Sequence, residues 1–152
     1  MNDTVSLDQR LQYVRSQPVF ANLTDKEQEE LAMLFTEKTA SPGQKIVEQG
    51  KPVDSVYLII SGDADVRVTV VENGALKESS VATLTAGKAI GLSETGFYSL
   101  SGMRTATVVA NTEMLLLCLS VPAFNGFALA NSHVGQVMRK NASNMVSEWG
   151  DE

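Results

Sequence analysis

Arg104 and Glu94 are the only formally charged side chains between Ala89 and Thr112, and both are groups that could bind a polar ligand. Arg104 leads into Thr105, Ala106, Thr107, Val108 and Val109, a small and β-branched run that reads as a largely buried strand. An unpaired guanidinium in such a place is costly. Two partners could neutralise it: Glu94, from across a short Gly- and Ser-rich loop, or an anionic ligand, for which a phosphate suits the planar guanidinium fork. Other chemistry is poorly supplied. His133 is the only histidine, too few for a metal centre of several histidine and carboxylate ligands. No Ser/His/Asp, Cys/His or Walker-type arrangement is present, so catalysis is not indicated. Cys118, the only cysteine, lies within MLLLCLS and reads as a small core residue.

The elements that must position these groups follow from the periodicity. The first 36 residues read as helical, with one segment near Leu7 to Ser16 and another opening at Thr24, where Thr24 and Glu27 have capping-box spacing. Ser41-Pro42-Gly43 breaks the helix. Strands are then expected over Lys45 to Glu48, Ser55 to Ile60, Ala64 to Glu72 and Ala75 to Leu84. Val66, Val68 and Val70 alternate with Asp65, Arg67 and Thr69, the pattern of a strand with one buried and one solvated face. Asn73-Gly74 is a hairpin signal. Strands from Met103 to Ala110 and Glu113 to Ser120 come next. Val121-Pro122 then opens a helix with Phe124, Phe127 and Ala128 toward the core. A last helix is expected from Ser132 to Trp149, with Val134, Val137, Met138, Met145 and Trp149 on one side. The fold class is therefore α+β.

A chain of 152 residues with 43% apolar content fits one globular domain that buries roughly two-thirds of its unfolded surface. The net charge of -6, without a Lys/Arg cluster, argues against nucleic acid or an anionic membrane as the main partner. With one cysteine an internal disulfide is impossible. The N-terminus MNDTVSLDQR lacks the apolar core of a signal peptide, and no apolar run reaches the roughly 20 residues of a membrane span. A cytoplasmic protein is expected, so the N-x-S/T triplets at Asn2, Asn22 and Asn141 read as chance matches.

The glycines stand in turn-like contexts, and their order carries more than any one of them. PGQKIVEQG, then DSVYLIISG, then LTAGKAIG, then a short loop and RTATV resembles the layout of the cyclic-nucleotide-binding domain family, from about Val19 to Trp149. The resemblance implies an antiparallel, jelly-roll-like β-roll sandwich with N-terminal helices, a short phosphate-binding-cassette helix and C-terminal helices. It implies a single domain over 1–152, helical over 7–36, with a β-roll over 44–120, a cassette at 90–105 and C-terminal helices over 121–149.

The implied ligand is cAMP or cGMP, with no further cofactor and no metal. A short helix starting near Ser93 would direct N–H groups at the cyclic phosphate, a contribution of roughly 0.3–2 kcal/mol. Gly91, Leu92, Ser93, Glu94 and Thr95 would form the cassette. By resemblance Arg104 binds the phosphate, the Ala106 N–H donates to it, and a glutamate accepts from the ribose 2′-hydroxyl. Counting forward from Gly87 places Leu92 at that glutamate position; counting back from Arg104 places Glu94 there, which is the reading preferred. Thr105 resembles the family's Arg-Thr-Ala version, whose hydroxyl reaches a guanine edge. Val68 and Leu84 would offer apolar walls, and Trp149 resembles part of a C-terminal lid. The implied role is a regulatory domain that signals through its terminal helices, either by homodimerising or by acting on an effector in trans. Two alternatives stay open: a ligand-independent interaction module with a degenerate pocket, supported by Ser93 in place of the cassette glycine, and a fragment of a transcription regulator.

Overall fold

The computed structural model describes residues 5–93, 96–97 and 102–140. Helix α1, Leu7–Arg15, starts at a capping box between Ser6 and Gln9, and α2, Asp25–Leu34, starts at the expected one between Thr24 and Glu27. A 3-10 turn at Pro18–Phe20 joins them. Ten strands follow among the described residues: β1 Thr36–Ala40, β2 Lys45–Val47, β3 Ser55–Ser61, β4 Ala64–Glu72, β5 Ala75–Leu84, β6 Ala89–Ile90, β7 Leu92–Ser93, β8 Gly96–Phe97, β9 Thr107–Ala110 and β10 Met114–Ser120. Helix α3, Val121–Ala130, comes next, and residues 132–140 are again helical. The strands form an antiparallel sandwich of two four-stranded sheets, ordered β1-β10-β3-β6 and β2-β9-β4-β5, with β7 and β8 as a separate ribbon.

Strands β3 and β10 hold the molecule together because each is buried on both faces. Val56, Leu58, Leu117 and Leu119 pack with the helices, beside Val14, Phe20, Leu31 and Phe124. Tyr57, Ile59, Leu116 and Cys118 face the interior of the roll with Val47, Ile90 and Val108. The Phe124 ring lies 6.2 Å from Phe20 and 6.3 Å from Phe127, centroid to centroid, distances suited to tilted aromatic pairs.

Several expected boundaries need correction. The helical region stops at Leu34, and Thr36 opens a strand that pairs with β10 from Thr36↔Cys118 to Ala40↔Met114. The roll therefore begins at residue 36 rather than 44. TEKTA has no apolar alternation because β1 is a mostly exposed edge strand. The strand expected from Met103 contracts to Thr107–Ala110, and Met103 forms an isolated bridge to Pro52. The alternation in β4 fades along its length. Ala64 is buried and Val66 partly so, but Val70 and Val71 are 48% and 72% exposed, because β9 ends opposite Arg67 and leaves the outer part of β4 with β5 alone. Where the cassette helix is expected to start, Leu92–Ser93 is extended and pairs with Gly96–Phe97. Glu94, Thr95, Met145 and Trp149 lie outside the described residues.

One polar contact ties the helices at the two ends of the domain. Glu27 Oε1 accepts from the Thr24 N–H at 2.8 Å and lies 2.8 Å from His133 Nδ1. Burial pushes the Glu27 carboxyl up, but the hydrogen bonds from Thr24 and His133 and the His133 charge outweigh it and hold the carboxyl below the usual carboxylate range. The stabilisation is therefore present above that range and is lost as pH falls through the depressed value. Chemical denaturation across pH is expected to show an acid limb that flattens in Glu27→Gln; an unchanged limb would refute the contribution of this pair.

Candidate ligand-binding site

The main chain of Arg104 is clipped to the loop after β2. Its N–H donates to Lys51 O at 2.7 Å, and its carbonyl accepts from the Gly50 N–H at 2.9 Å. The side chain turns inward and is 7% exposed. Nη2 donates to the Ser55 carbonyl at 2.6 Å and stands 3.7 Å from Asp54 Oδ1. Burial lowers the proton affinity of the guanidinium, and the nearby Tyr57, Asp54 and Cys118 groups act in the opposite direction; an arginine so placed stays charged at neutral pH. Asp54 is 83% exposed, so its compensation is weakened by solvent. Among the described residues, the buried cation thus leans mainly on one backbone carbonyl, an arrangement that suits an additional anion.

Gly91 makes this position possible. It follows β6, whose Ile90 pairs with Tyr57, and adopts φ +83°, a region that favours glycine. A Cβ built on Gly91 would lie 2.6 Å from Arg104 Nη1, closer than any real contact. The guanidinium therefore packs over bare backbone.

Arg104 forms one wall of a cavity of about 330 Å³. Of the residues proposed from sequence, Gly91, Leu92, Arg104, Thr105, Ala106 and Leu84 all line it. Val68 does not; Val66, two residues earlier on the same face of β4, takes that place. The backbone of Ser93 lies in the β7–β8 ribbon. Leu92 is 8% exposed and packs with the core under the helices, which includes Val19 and Phe20, so the residue after Gly91 is an anchoring side chain as well as an apolar wall. Val53, Val81 and Ala82 also line the cavity. Sequence reasoning missed them: β5 has no clear alternation, and Val81 occupies a bulge in the β4–β5 pairing, where Val66 faces Ala82 and Arg67 faces Ser80. Asp54 and Ser55 were also missed, although DSVYLIISG was singled out as a block. Their contacts with Arg104 span 49 to 50 residues of chain.

Chemically, the described part of the cavity is an apolar slot with a cation at one wall, beside the exposed Thr105 and the half-buried Ala106. It suits a ligand with an anionic head and a flat or apolar body. Gly91→Ala is expected to displace Arg104 and weaken the binding of any anion there by roughly tenfold or more, as measured by calorimetry. Full affinity in that variant would show that the guanidinium need not occupy this position.

Comparison with known proteins fits this geometry. Residues 37–131 match the family model described as cyclic nucleotide-binding domain. No curated protein matches the sequence. Among solved structures, the N-terminal domain of a transcriptional regulator from Streptomyces coelicolor A3(2) is similar, with a TM-score of 0.74 and 24% identity over 91% of this chain and 95% of that one. A cyclic nucleotide-binding domain from Methylobacillus flagellatus KT gives 0.70 and 20% identity, over 95% of this chain and 78% of that one. The regulatory domain of Toxoplasma gondii PKA, crystallised with cAMP, gives 0.68 and 21% identity over 84% of this chain, which spans 46% of that structure. At these identities the structural likenesses show a shared fold.

Proposed function

This chain belongs to the cyclic nucleotide-binding domain family, and we propose that it is a regulatory domain whose cavity takes a cyclic purine nucleotide, cAMP or cGMP, without altering it chemically. The observation that carries the reading is the buried Arg104 guanidinium, held by the Ser55 carbonyl at the wall of a largely apolar cavity. The Toxoplasma gondii relative was crystallised with cAMP, which supports a ligand of this class. In this reading Arg104 and the Ala106 N–H bind the phosphate, Glu94 accepts from the ribose, and Val66 and Leu84 flank the body of the ligand. A guanine base would meet the Thr105 hydroxyl. Charge-assisted hydrogen bonds from Arg104 would contribute about 1.5–3 kcal/mol.

Occupancy signals only if the nucleotide favours one arrangement of the terminal helices over another. The proposed route runs from the cassette to the C-terminal helical segment at 132–140, and from there to a second copy or an effector in the cytoplasm. A second reading, assembly through the helices without a ligand, draws support from the extended Leu92–Ser93 backbone. An extended chain at Ser93 would not give a phosphate the helix N-terminus expected there.

Calorimetry with cAMP and cGMP separates the two readings. Micromolar binding of one of them, weakened on the order of tenfold to a hundredfold in Arg104→Ala, is the result expected of a receptor. No heat from either nucleotide would favour the module.

A further inference from the structure

Strand β9 pairs with β4 in a regular register, Ala64↔Ala110, Asp65↔Val109, Val66↔Val108 and Arg67↔Thr107, and the ladder ends there. Two more steps in the same register would set Thr105 opposite Thr69. Alternate residues of an antiparallel strand present both main-chain polar groups to the same side, so Thr69, like Arg67, offers its N–H and C=O to the β9 side. The side chain of Gln49 meets both. Its Oε1 accepts from the Thr69 N–H at 2.8 Å, and its Nε2 donates to the Thr69 carbonyl at 3.0 Å. The Gln49 carboxamide thus supplies the donor and acceptor pair that a peptide group of β9 would otherwise provide.

The same residue fixes the loop that carries the arginine. The Gln49 N–H donates to Thr107 Oγ1 at 3.0 Å, where the ladder stops. Its neighbours Gly50 and Lys51 hold the Arg104 main chain from both sides, at 2.9 and 2.7 Å.

We infer that Gln49 is a positioning residue: its carboxamide replaces Thr105 as the partner of Thr69, keeps Thr105 and Ala106 out of the sheet, and seats Arg104 at the cavity wall. As a statement about ligand binding this rests on the receptor reading above; as a statement about backbone pairing it does not. A zipped Thr69–Thr105 pair would commit those main-chain groups to β4. With Gln49 in place Thr105 and Ala106 stay outside the ladder, and both line the pocket.

The test uses the full chain, with Gln49→Ala and Gln49→Glu. A carboxylate at this position still accepts from the Thr69 N–H but cannot donate to the Thr69 carbonyl, whereas a protonated carboxyl can do both. Affinity for cAMP or cGMP is expected to fall roughly tenfold in both variants at neutral pH. Relative to the unsubstituted protein at each pH, Gln49→Glu should recover as its carboxyl protonates, and Gln49→Ala should not. Residue-resolved hydrogen exchange without nucleotide should show altered protection at Thr69 and Thr105 in Gln49→Ala while Leu58, in the core, stays protected. Unchanged affinity in both variants, or unchanged exchange at Thr69 and Thr105, overturns the inference. If the unsubstituted protein binds neither nucleotide, the receptor reading fails by itself and the exchange measurement alone decides the role of Gln49.

Discussion

The arrangement of the cavity depends on the burial of one guanidinium. Arg104 is taken almost wholly out of water and given the Ser55 carbonyl at 2.6 Å, with the solvated Asp54 carboxylate at 3.7 Å. A buried charge is costly, so the surrounding structure must hold it in place. Gly91 removes the Cβ that would collide with it, and the Gly50–Lys51 main chain brackets its backbone. Strand β3 supplies the carbonyl at its first residue, where the strand is anchored opposite Ser120 of β10. In the proposed receptor, an anion that enters the cavity would add to the compensation that the described residues give this cation.

The same geometry connects the cavity to both sets of helices. Residues just beside the Arg104 contact start α3, since the Asp54 carbonyl accepts from the Val121 N–H at 2.9 Å and Ser120 caps that helix through the Ala123 N–H. On the other side Leu92 lines the cavity and also packs into the core with Val19 and Phe20. Strands β3 and β10 contribute alternate residues to the roll interior and to the helix core, so the two cores share these strands as a common wall. The Glu27–His133 contact then joins α2 to the segment at 132–140.

Much of the site was legible as residue types in order. Arg104 stands out because a strand of small and β-branched residues has no use for a charge, and the successive glycine blocks place it in a recognisable layout. The Thr24–Glu27 capping box and the β4–β5 hairpin were equally readable, since both are set by residues within a few positions of each other. Less legible were the partners. Ser55 and Asp54 meet Arg104 across some fifty residues of chain, and Gln49 reaches Thr69 over twenty. Nothing in the local pattern of VEQGK or VTVVE marks a side chain that will stand in for a strand. Val68 and Val66 also look alike in sequence, and only the point at which β9 ends decides which of them borders the cavity.

The amino-acid sequence by itself determined the class of elements, the α+β order and the presence of a lone cation beside a Gly-rich turn, because periodicity, capping and turn chemistry act over short stretches of chain. It also determined the family, through several such local signals in succession. Only the tertiary structure decided that the roll begins at Thr36, that β9 stops at Thr107, that Leu92–Ser93 is extended, and that the Ser55 carbonyl is a partner of Arg104. Those outcomes are pairings between distant segments. Strand pairing is made by backbone groups that every residue carries, so the sequence names the groups available and only their placement in space selects the partners.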